Sequence, residues 1–172
     1  MIKELDYQNS REYLDKFQIL EYSHSMGLTD WYDCEDEQAQ YIWWIELEGI
    51  DEKPLGFLSY KKMISANRVD FIYIVKIYVL HTHRGEEASL IYGERVSMIL
   101  FRELVKKEVN ILTLESACKD LDRYYETLGF RYIKDVNFEF ASIIGTKEEI
   151  MIKIQDRRLL SENEQQIFGR IV

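Results

Sequence analysis

Residues 68–89 read RVDFIYIVKIYVLHTHRGEEAS and join a long apolar run to a charged turn. From Val69 to Val79 the apolar side chains alternate without a break, and the opposite face of this run is largely apolar too. A strand that is apolar on both faces is usually central in its sheet. The sequence therefore predicts a buried central strand that ends near Leu80 and is followed by a turn and a helix.

The turn after this strand has the features of a phosphate site. Residues 86–108 carry apolar side chains at helical spacing and predict one long helix. The first N–H groups of a helix lack backbone partners and, with the positive end of the helix dipole, can bind phosphate. Two acidic residues, Glu86 and Glu87, also stand there. Because acids are common in a first helical turn, an ordinary strand-to-helix connection is the alternative.

Upstream of the central strand, the pattern predicts a strand, two helices and two more strands. The second helix is short, and Thr29 and Asp30 are its predicted caps. Met1–Tyr7 is the first strand, and Asn9 with Glu12 predicts the capping box of the helix that follows. Alternating apolar residues then predict strands over residues 39–49 and 54–63.

Downstream, the predicted elements complete a mixed α/β fold. Residues 110–116 (NILTLES) predict a strand, and residues 119–130 (KDLDRYYETLGF) predict a helix with Gly129 at its C-terminal cap. The side chains of this helix expected to point inward are Leu121, Tyr124, Tyr125 and Leu128. Two further strands are expected over residues 131–140 and 149–155. The order predicts a central mixed sheet of about six to seven strands, flanked by about four helices.

Two motifs in these elements resemble the GCN5-related N-acetyltransferase (GNAT) family. Val79-x-x-x-x-Arg84-Gly85 resembles the family pattern V-x-P-x-x-R-G-x-G-x-G/A at the end of the fourth strand. Residues 125–130 (YETLGF) match the family pattern Y-E-x-L-G-F. The resemblance covers residues 1–155, so we expect a GNAT-like acyl-CoA N-acyltransferase domain there.

The resemblance implies an enzyme that moves an acetyl group from acetyl-CoA directly to a primary amine of a small molecule or peptide. It implies that Tyr125 is the general acid that protonates the leaving thiolate and also lies at the cofactor. Ile77 and Val79 would offer backbone groups to the pantetheine arm. The implied pyrophosphate loop consists of Arg84, Gly85, Glu86, Glu87, Ala88 and Ser89.

Four positions depart from the family pattern, and one of them is Ser89, which stands where glycine or alanine is expected. His81 replaces the usual proline, and Glu87 stands where a glycine is expected. Cys118 stands where the family often has an asparagine that helps to hold the cofactor, and a thiol is a poorer hydrogen-bonding group than an amide. These departures leave open a catalytically silent GNAT-fold module that senses a ligand or binds a protein.

Candidates for the general base and for the acceptor pocket come from acidic residues. Asp70, near the start of the fourth strand, and Glu115, on the next strand, are the candidate bases. In the family, the region between the first helix and the second strand often borders the acceptor. That region here includes Trp31, Asp33 and Glu35. Carboxylates and aromatic faces suit a cationic amine, so these three residues are candidate acceptor contacts.

Charge and composition limit the classes of binding partner that are expected. The net charge of −9 disfavours nucleic acid and anionic membranes and suits a cationic or neutral small molecule. The chain has no apolar signal core at Met1 and no apolar run long enough for a bilayer, so a cytoplasmic protein is expected. His81 and His83 have a spacing seen in zinc sites, but no third ligand follows at a fitting distance, so no metal is expected.

The C-terminal segment, residues 156–172, is predicted to be an extension of the domain. Ser161 and Glu164 predict the capping box of a last short helix. The apolar residues of the segment, among them Leu160 and Phe168, are too many for a free tail. The extension therefore docks on its own domain or on a partner subunit. Because GNAT proteins are often dimers, the resemblance favours a homodimer.

Overall fold

A computed structural model describes residues 1–22, 36–85, 93–116, 119–133 and 149–169. Within these residues, seven strands form a mixed sheet in the order β1-β2-β3-β4-β5-β7-β6. The strands are β1 (Ile2–Asp6), β2 (Gln40–Glu48), β3 (Asp51–Ile64), β4 (Asp70–Val79), β5 (Ile111–Glu115), β6 (Arg131–Tyr132) and β7 (Ile150–Ile154). The α-helices are α1 (Tyr7–Tyr22), α2 (Val96–Val105), α3 (Lys119–Thr127) and α4 (Glu162–Phe168). The predicted sheet size and helix number are confirmed.

The fourth strand is central, as its two apolar faces predicted. β1, β2 and β3 pair in antiparallel fashion, and β4 pairs with β5 in parallel. β7 then pairs with β5 and β6 in antiparallel fashion. The parallel register runs from Ile72↔Leu112 to Ile74↔Leu114, whereas β4 continues to Val79. The last five residues of β4 therefore lie beyond its register with β5.

The chain divides into two compact units, Met1–Lys61 with Val75–Lys107 and Lys62–Ile74 with Glu108–Val172. In the first unit, α1 packs its apolar stripe on β2 and β3. Phe17 is fully buried, and its ring meets that of Phe57 edge-on at 5.6 Å. Trp43 is buried as well and donates its indole N–H to Ser10 Oγ at 3.0 Å. Burial of these large rings supplies the hydrophobic stabilisation of this unit.

The second unit has its own apolar core, to which the C-terminal segment contributes. Leu160 and Phe168 are buried with residues of β4, β5 and β7. Ser161 and Glu164 form the predicted capping box at the start of α4, which fixes where this short helix begins. Gln155, the predicted domain boundary, pairs through its backbone N–H with the Asn110 carbonyl. The boundary and the homodimer stay predictions.

Two predicted helix limits were wrong. Asn9 is not the cap of α1, because the helix begins at Tyr7 and Asp6 Oδ1 accepts the Asn9 backbone N–H at 2.9 Å. The single helix over residues 86–108 is also wrong: Gly93 has φ +76° and Arg95 is extended at ψ 138°, so α2 begins at Val96. A residue with positive φ does not continue an α-helix.

One further expectation is met only in part. The strand expected over residues 131–140 is described as β6, Arg131–Tyr132, and residues 134–148 lie outside the described part. Gly129 does cap α3, with φ +94°. Across the described ranges, no helix combines the length and the apolar character that crossing a bilayer requires.

Candidate active site

The end of β4 carries the described part of the predicted cofactor loop. Residues 75–79 are all half-buried, in contrast to the buried Ile74 before them. His81–His83 then form a single 3₁₀ turn, and Gly85 follows with φ +80°, a conformation that favours glycine. Ile77 and Val79 thus lie on the stretch of β4 that extends beyond the register with β5.

Other predicted site residues lie outside the described ranges. Of the pyrophosphate loop, only Arg84 and Gly85 are described. The loop residues outside the described ranges are Glu86, Glu87, Ala88 and Ser89. The cofactor candidate Cys118 and the acceptor candidates Trp31, Asp33 and Glu35 also lie outside them. Their roles stay predictions.

A glycine on β3 sets how closely this end of β4 approaches its neighbour. A Cβ on Gly56 would lie 2.9 Å from the Tyr78 carbonyl oxygen and 3.4 Å from Val79 Cα. The Leu80 N–H donates to the Leu55 carbonyl at 2.8 Å just beyond this point. Only a residue without a side chain therefore allows the two backbones to lie at this separation.

A buried acid of α1 meets the turn after β4. The Glu21 side chain is 1% exposed, and its Oε1 accepts the His81 backbone N–H at 2.5 Å. The same oxygen lies 3.1 Å from His81 Nδ1, and Oε2 accepts from Arg84 Nη2 at 3.2 Å. This cluster was not predicted. The available signal was its position four residues after Phe17, on the apolar face of the helix.

Arg84 is held from three sides. Its Nε donates to the Val79 carbonyl at 2.6 Å, and its Nη2 donates to Glu21. The guanidinium carbon lies 5.0 Å from the centre of the Tyr78 ring, which is a cation–π distance. The side chain nevertheless remains 47% exposed. Arg84 is thus a fixed cation with an outer edge that faces solvent.

The departure at position 81 has a structural consequence. Proline has no backbone N–H, so the usual family residue could not make the 2.5 Å bond from position 81 to Glu21. Burial lowers the pKa of the nearby His83 imidazole. Within the part of the chain that the structure describes, no group of three His, Cys, Asp or Glu side chains is arranged to hold a metal ion.

Tyr125 lies in the last turn of α3, in the second unit. Its ring meets the Phe130 ring at 6.0 Å in an edge-on arrangement, and Phe130 is fully buried. The Phe130 N–H returns to the Tyr125 carbonyl at 3.1 Å, while the Gly129 N–H donates to the Glu126 carbonyl. These bonds form a Schellman end for the helix. Hydrogen bonds within the motif YETLGF therefore fix the backbone that carries Tyr125.

The helix α3 is less buried than predicted. None of its residues is buried. Leu121, expected to point inward, is 39% exposed, while Tyr124 and Tyr125 are half-buried. The inward placement of Leu121 was therefore wrong. Asp120 and Asp122 stand in its first turn, where the helix dipole favours acids.

The two candidate bases occupy different places. Asp70 is exposed at the first residue of β4. A strand of ten residues rises about 30 Å, so Asp70 is far from Val79 at the other end. Glu115 ends β5, and burial together with a hydrogen bond to Glu149 raises the pKa of its carboxyl group. Glu149 was not predicted as a site residue, although register places it beside Glu115.

A second contact with a carboxyl group, between Tyr132 and Asp122, lies in the same unit as Glu115. The Tyr132 hydroxyl donates to Asp122 Oδ2, and this bond with partial burial raises the pKa of Tyr132 to about 12. Glu126 and Glu149 add negative potential at the same phenol. Tyr132 therefore keeps its proton at neutral pH, and its neighbourhood is one of carboxylates.

Comparison with known proteins identifies solved structures of similar fold, but no protein family that matches by sequence. No protein-family model and no curated protein matches this chain. A GNAT-family acetyltransferase from Staphylococcus aureus Mu50 has a TM-score of 0.56 at 13% identity, over 91% of this chain and 100% of that chain. An acetyltransferase from Streptococcus agalactiae 2603 has a TM-score of 0.55 at 17% identity, over 89% of this chain and 98% of that chain.

A third solved structure, AtaTR bound with AcCoA, has a TM-score of 0.52 at 11% identity, over 90% of this chain and 92% of that chain. At these identities, the likeness concerns the fold. This chain has the fold of GNAT acetyltransferases, as its two motifs predicted.

Proposed function

We propose that the protein is an acetyl-CoA-dependent N-acetyltransferase that acts on a primary amine. The observation that carries this proposal is the end of β4, where the strand continues from Ile74 to Val79 beyond its register with β5 and leads into Arg84-Gly85. The edge of a strand that is paired on one side only offers N–H and C=O groups to an extended ligand. The pantetheine arm of acetyl-CoA, with its two amides, is such a ligand.

The residues at this end fit the co-substrate. Ile77 and Val79 are half-buried, so they would contribute both backbone groups and apolar contact to the arm. Arg84 supplies a partly exposed cation for the pyrophosphate. The backbone N–H groups of residues 85–89 would supply further donors to the phosphates. Because these are mostly backbone groups, acids at positions 86 and 87 do not remove them.

The chemistry needs a proton donor and a proton acceptor. Acetyl-CoA supplies the thioester that the amine attacks. Tyr125 would donate its phenolic proton to the departing thiolate. Glu115 would accept a proton from the substrate ammonium, since only the neutral amine attacks. The raised pKa of Glu115 makes it a stronger base than an ordinary carboxylate.

The acceptor would be small and cationic. The acceptor side would include Trp31, Asp33 and Glu35, and the net charge of −9 favours cations in general. Paired mutation of Asp33 and Glu35 to their amides should raise the acceptor KM if these carboxylates bind the amine. An unchanged KM would contradict this part of the proposal.

A catalytically silent module with the same fold is the second candidate. The observation that favours it is Arg84, whose guanidinium is already paired with the buried Glu21. If this pairing, together with Glu87, excluded the pyrophosphate, the protein would keep its fold without its chemistry.

Calorimetric titration with acetyl-CoA separates the two candidates. Binding with one site per chain is expected of the acetyltransferase. The absence of binding would overturn the proposal and favour the silent module. A screen of primary amines with free-thiol detection would then test turnover in a protein that binds acetyl-CoA.

A further inference from the structure

We infer that Glu21 is a positioning residue for the co-substrate phosphates, because it holds Arg84 in the orientation that binds them. The inference rests on the proposed function. It assigns a role to a residue of α1 that belongs to neither family-like motif. Glu21 would not touch the ligand and would act through the guanidinium of Arg84.

The burial of Glu21 argues that the pair persists when a ligand binds. Its side chain is 1% exposed, whereas that of Arg84 is 47% exposed. A buried carboxylate that loses a charged partner is left uncompensated, which is strongly unfavourable. A phosphate at the exposed edge of Arg84 gains nothing by breaking this contact. Glu21 is therefore a fixed anchor and does not compete with the ligand.

The contacts of Arg84 leave one edge of the guanidinium for a ligand. Nε is used by the Val79 carbonyl, and one Nη2 proton is used by Glu21. The Tyr78 ring covers one face at 5.0 Å. A guanidinium has five N–H donors in a rigid plane. Once two donors and one face are fixed, the direction of the remaining donors is fixed as well, and this preorganisation favours binding of an anion.

His81 completes the anchor. Its backbone N–H donates to Glu21 Oε1 at 2.5 Å, and its Nδ1 lies 3.1 Å from the same oxygen. Proline at position 81 would remove the shorter of these contacts. The departure from the family pattern at His81 and the buried acid at Glu21 are thus two parts of one arrangement.

Glu21→Gln is the central variant, because it keeps the size of the side chain and removes its charge. The amide can still accept the His81 N–H, but its NH₂ group would face Arg84 as a donor against a donor. We expect coenzyme A to bind about tenfold more weakly, the scale of one charge-assisted hydrogen bond. The matched control is Glu12→Gln on the same helix, where the side chain is 76% exposed and pairs with Lys16. This control should bind coenzyme A as the native protein does.

A double-mutant cycle separates positioning from mere support of the fold. In an Arg84→Ala background, Glu21→Gln should weaken coenzyme A binding no further, since the group it orients is gone. Equal weakening in both backgrounds would overturn the inference. So would a Glu21→Gln protein that binds coenzyme A as tightly as the native protein. If the native protein itself does not bind coenzyme A, the proposed function fails first, and this inference falls with it.

An NMR measurement on the native chain decides the matter if Glu21→Gln does not fold. The Arg84 Nε–H, assigned by its loss in Arg84→Lys, should give a slowly exchanging signal before any ligand is added. That signal should shift when coenzyme A is titrated in. A signal that emerges only with coenzyme A would show that Arg84 is not held in advance, and would overturn the inference.

Discussion

Gly56 of β3 lies against the Tyr78 carbonyl of β4, so closely that a Cβ at Gly56 would be 2.9 Å from that oxygen. The contact lies on the stretch of β4 that extends beyond its register with β5 and leads to Arg84. Because Gly56 does not have a positive φ, the reason for a glycine here is space.

Gly56→Ala should therefore destabilise the protein and weaken acetyl-CoA binding together. Backbone atoms must shift to admit the methyl group, and overpacking of this kind costs about 1–3 kcal/mol. Chemical denaturation gives the stability and calorimetry gives the affinity. The control is Gly49→Asn, where φ is +70° and no atom lies within 4 Å of a Cβ. Asn tolerates that conformation, so the control should change neither quantity much. Loss of stability without loss of affinity would show that the close approach at Gly56 is not needed for acetyl-CoA binding at the end of β4.

Much of the fold could be predicted from the sequence, because strands and helices have periods that show in the pattern of apolar residues. The uninterrupted alternation up to Val79 predicted the central strand, and Gly129 predicted the end of α3. The limits that failed did so for local reasons. Asp6 and Asn9 are both residue types that cap helices well. Asp6 is the N-cap of α1 because the helix follows β1 without an intervening loop.

The predicted site was incomplete for a different reason. Glu21 and His81 are 60 residues apart, and nothing in a single sequence joins an acid in one helix to the backbone N–H of a distant turn. The same holds for Glu115 and Glu149, which meet only because β5 and β7 pair. Motifs identify residues that are close in sequence, whereas these anchors depend on tertiary packing.

Phe168 should be important for the stability of the second unit. It is fully buried with Val69, Ile111 and Ile152, although it stands in the last short helix. Phe168→Ala should cost about 3–5 kcal/mol of unfolding free energy, as for other buried phenylalanines. Leu159→Ala is the control, because that side chain is 70% exposed. Similar stability of the two variants would contradict the packing of α4 on its own chain.

The paired carboxyl groups of Glu115 and Glu149 should make stability depend on pH. The pKa of Glu115 is raised in the folded state by burial and by Glu149. A raised carboxyl pKa means that the native state holds its proton more tightly than the unfolded chain. The resulting stabilisation is fully present below the unfolded pKa and is lost as pH rises through the folded value.

Glu149→Gln should therefore raise the Tm at pH 7 and have less effect near pH 4, because it removes the repulsion that grows as Glu115 ionises. Thermal unfolding at both pH values measures the difference. Glu37→Gln, at an exposed acid of the first unit, is the control for a change of net charge. A gain of Tm that is equal at both pH values would argue against the carboxyl pair.

Tyr125→Phe tests the proposed general acid directly. The ring packs on Phe130, and the helix end is held by backbone bonds, so loss of one hydroxyl should leave the fold and acetyl-CoA binding intact. Turnover should fall by about 100-fold, the usual scale for one positioned acid. The fall should be equal in kcat and in kcat/KM, because the proton is needed only in the transition state.

Tyr124→Phe is the matched control for this test: its ring lies 5.5 Å away on the same helix and is also half-buried. Full activity in Tyr125→Phe would leave the acetyltransferase without its proposed acid, and equal loss in both variants would assign the effect to the helix instead of to one hydroxyl.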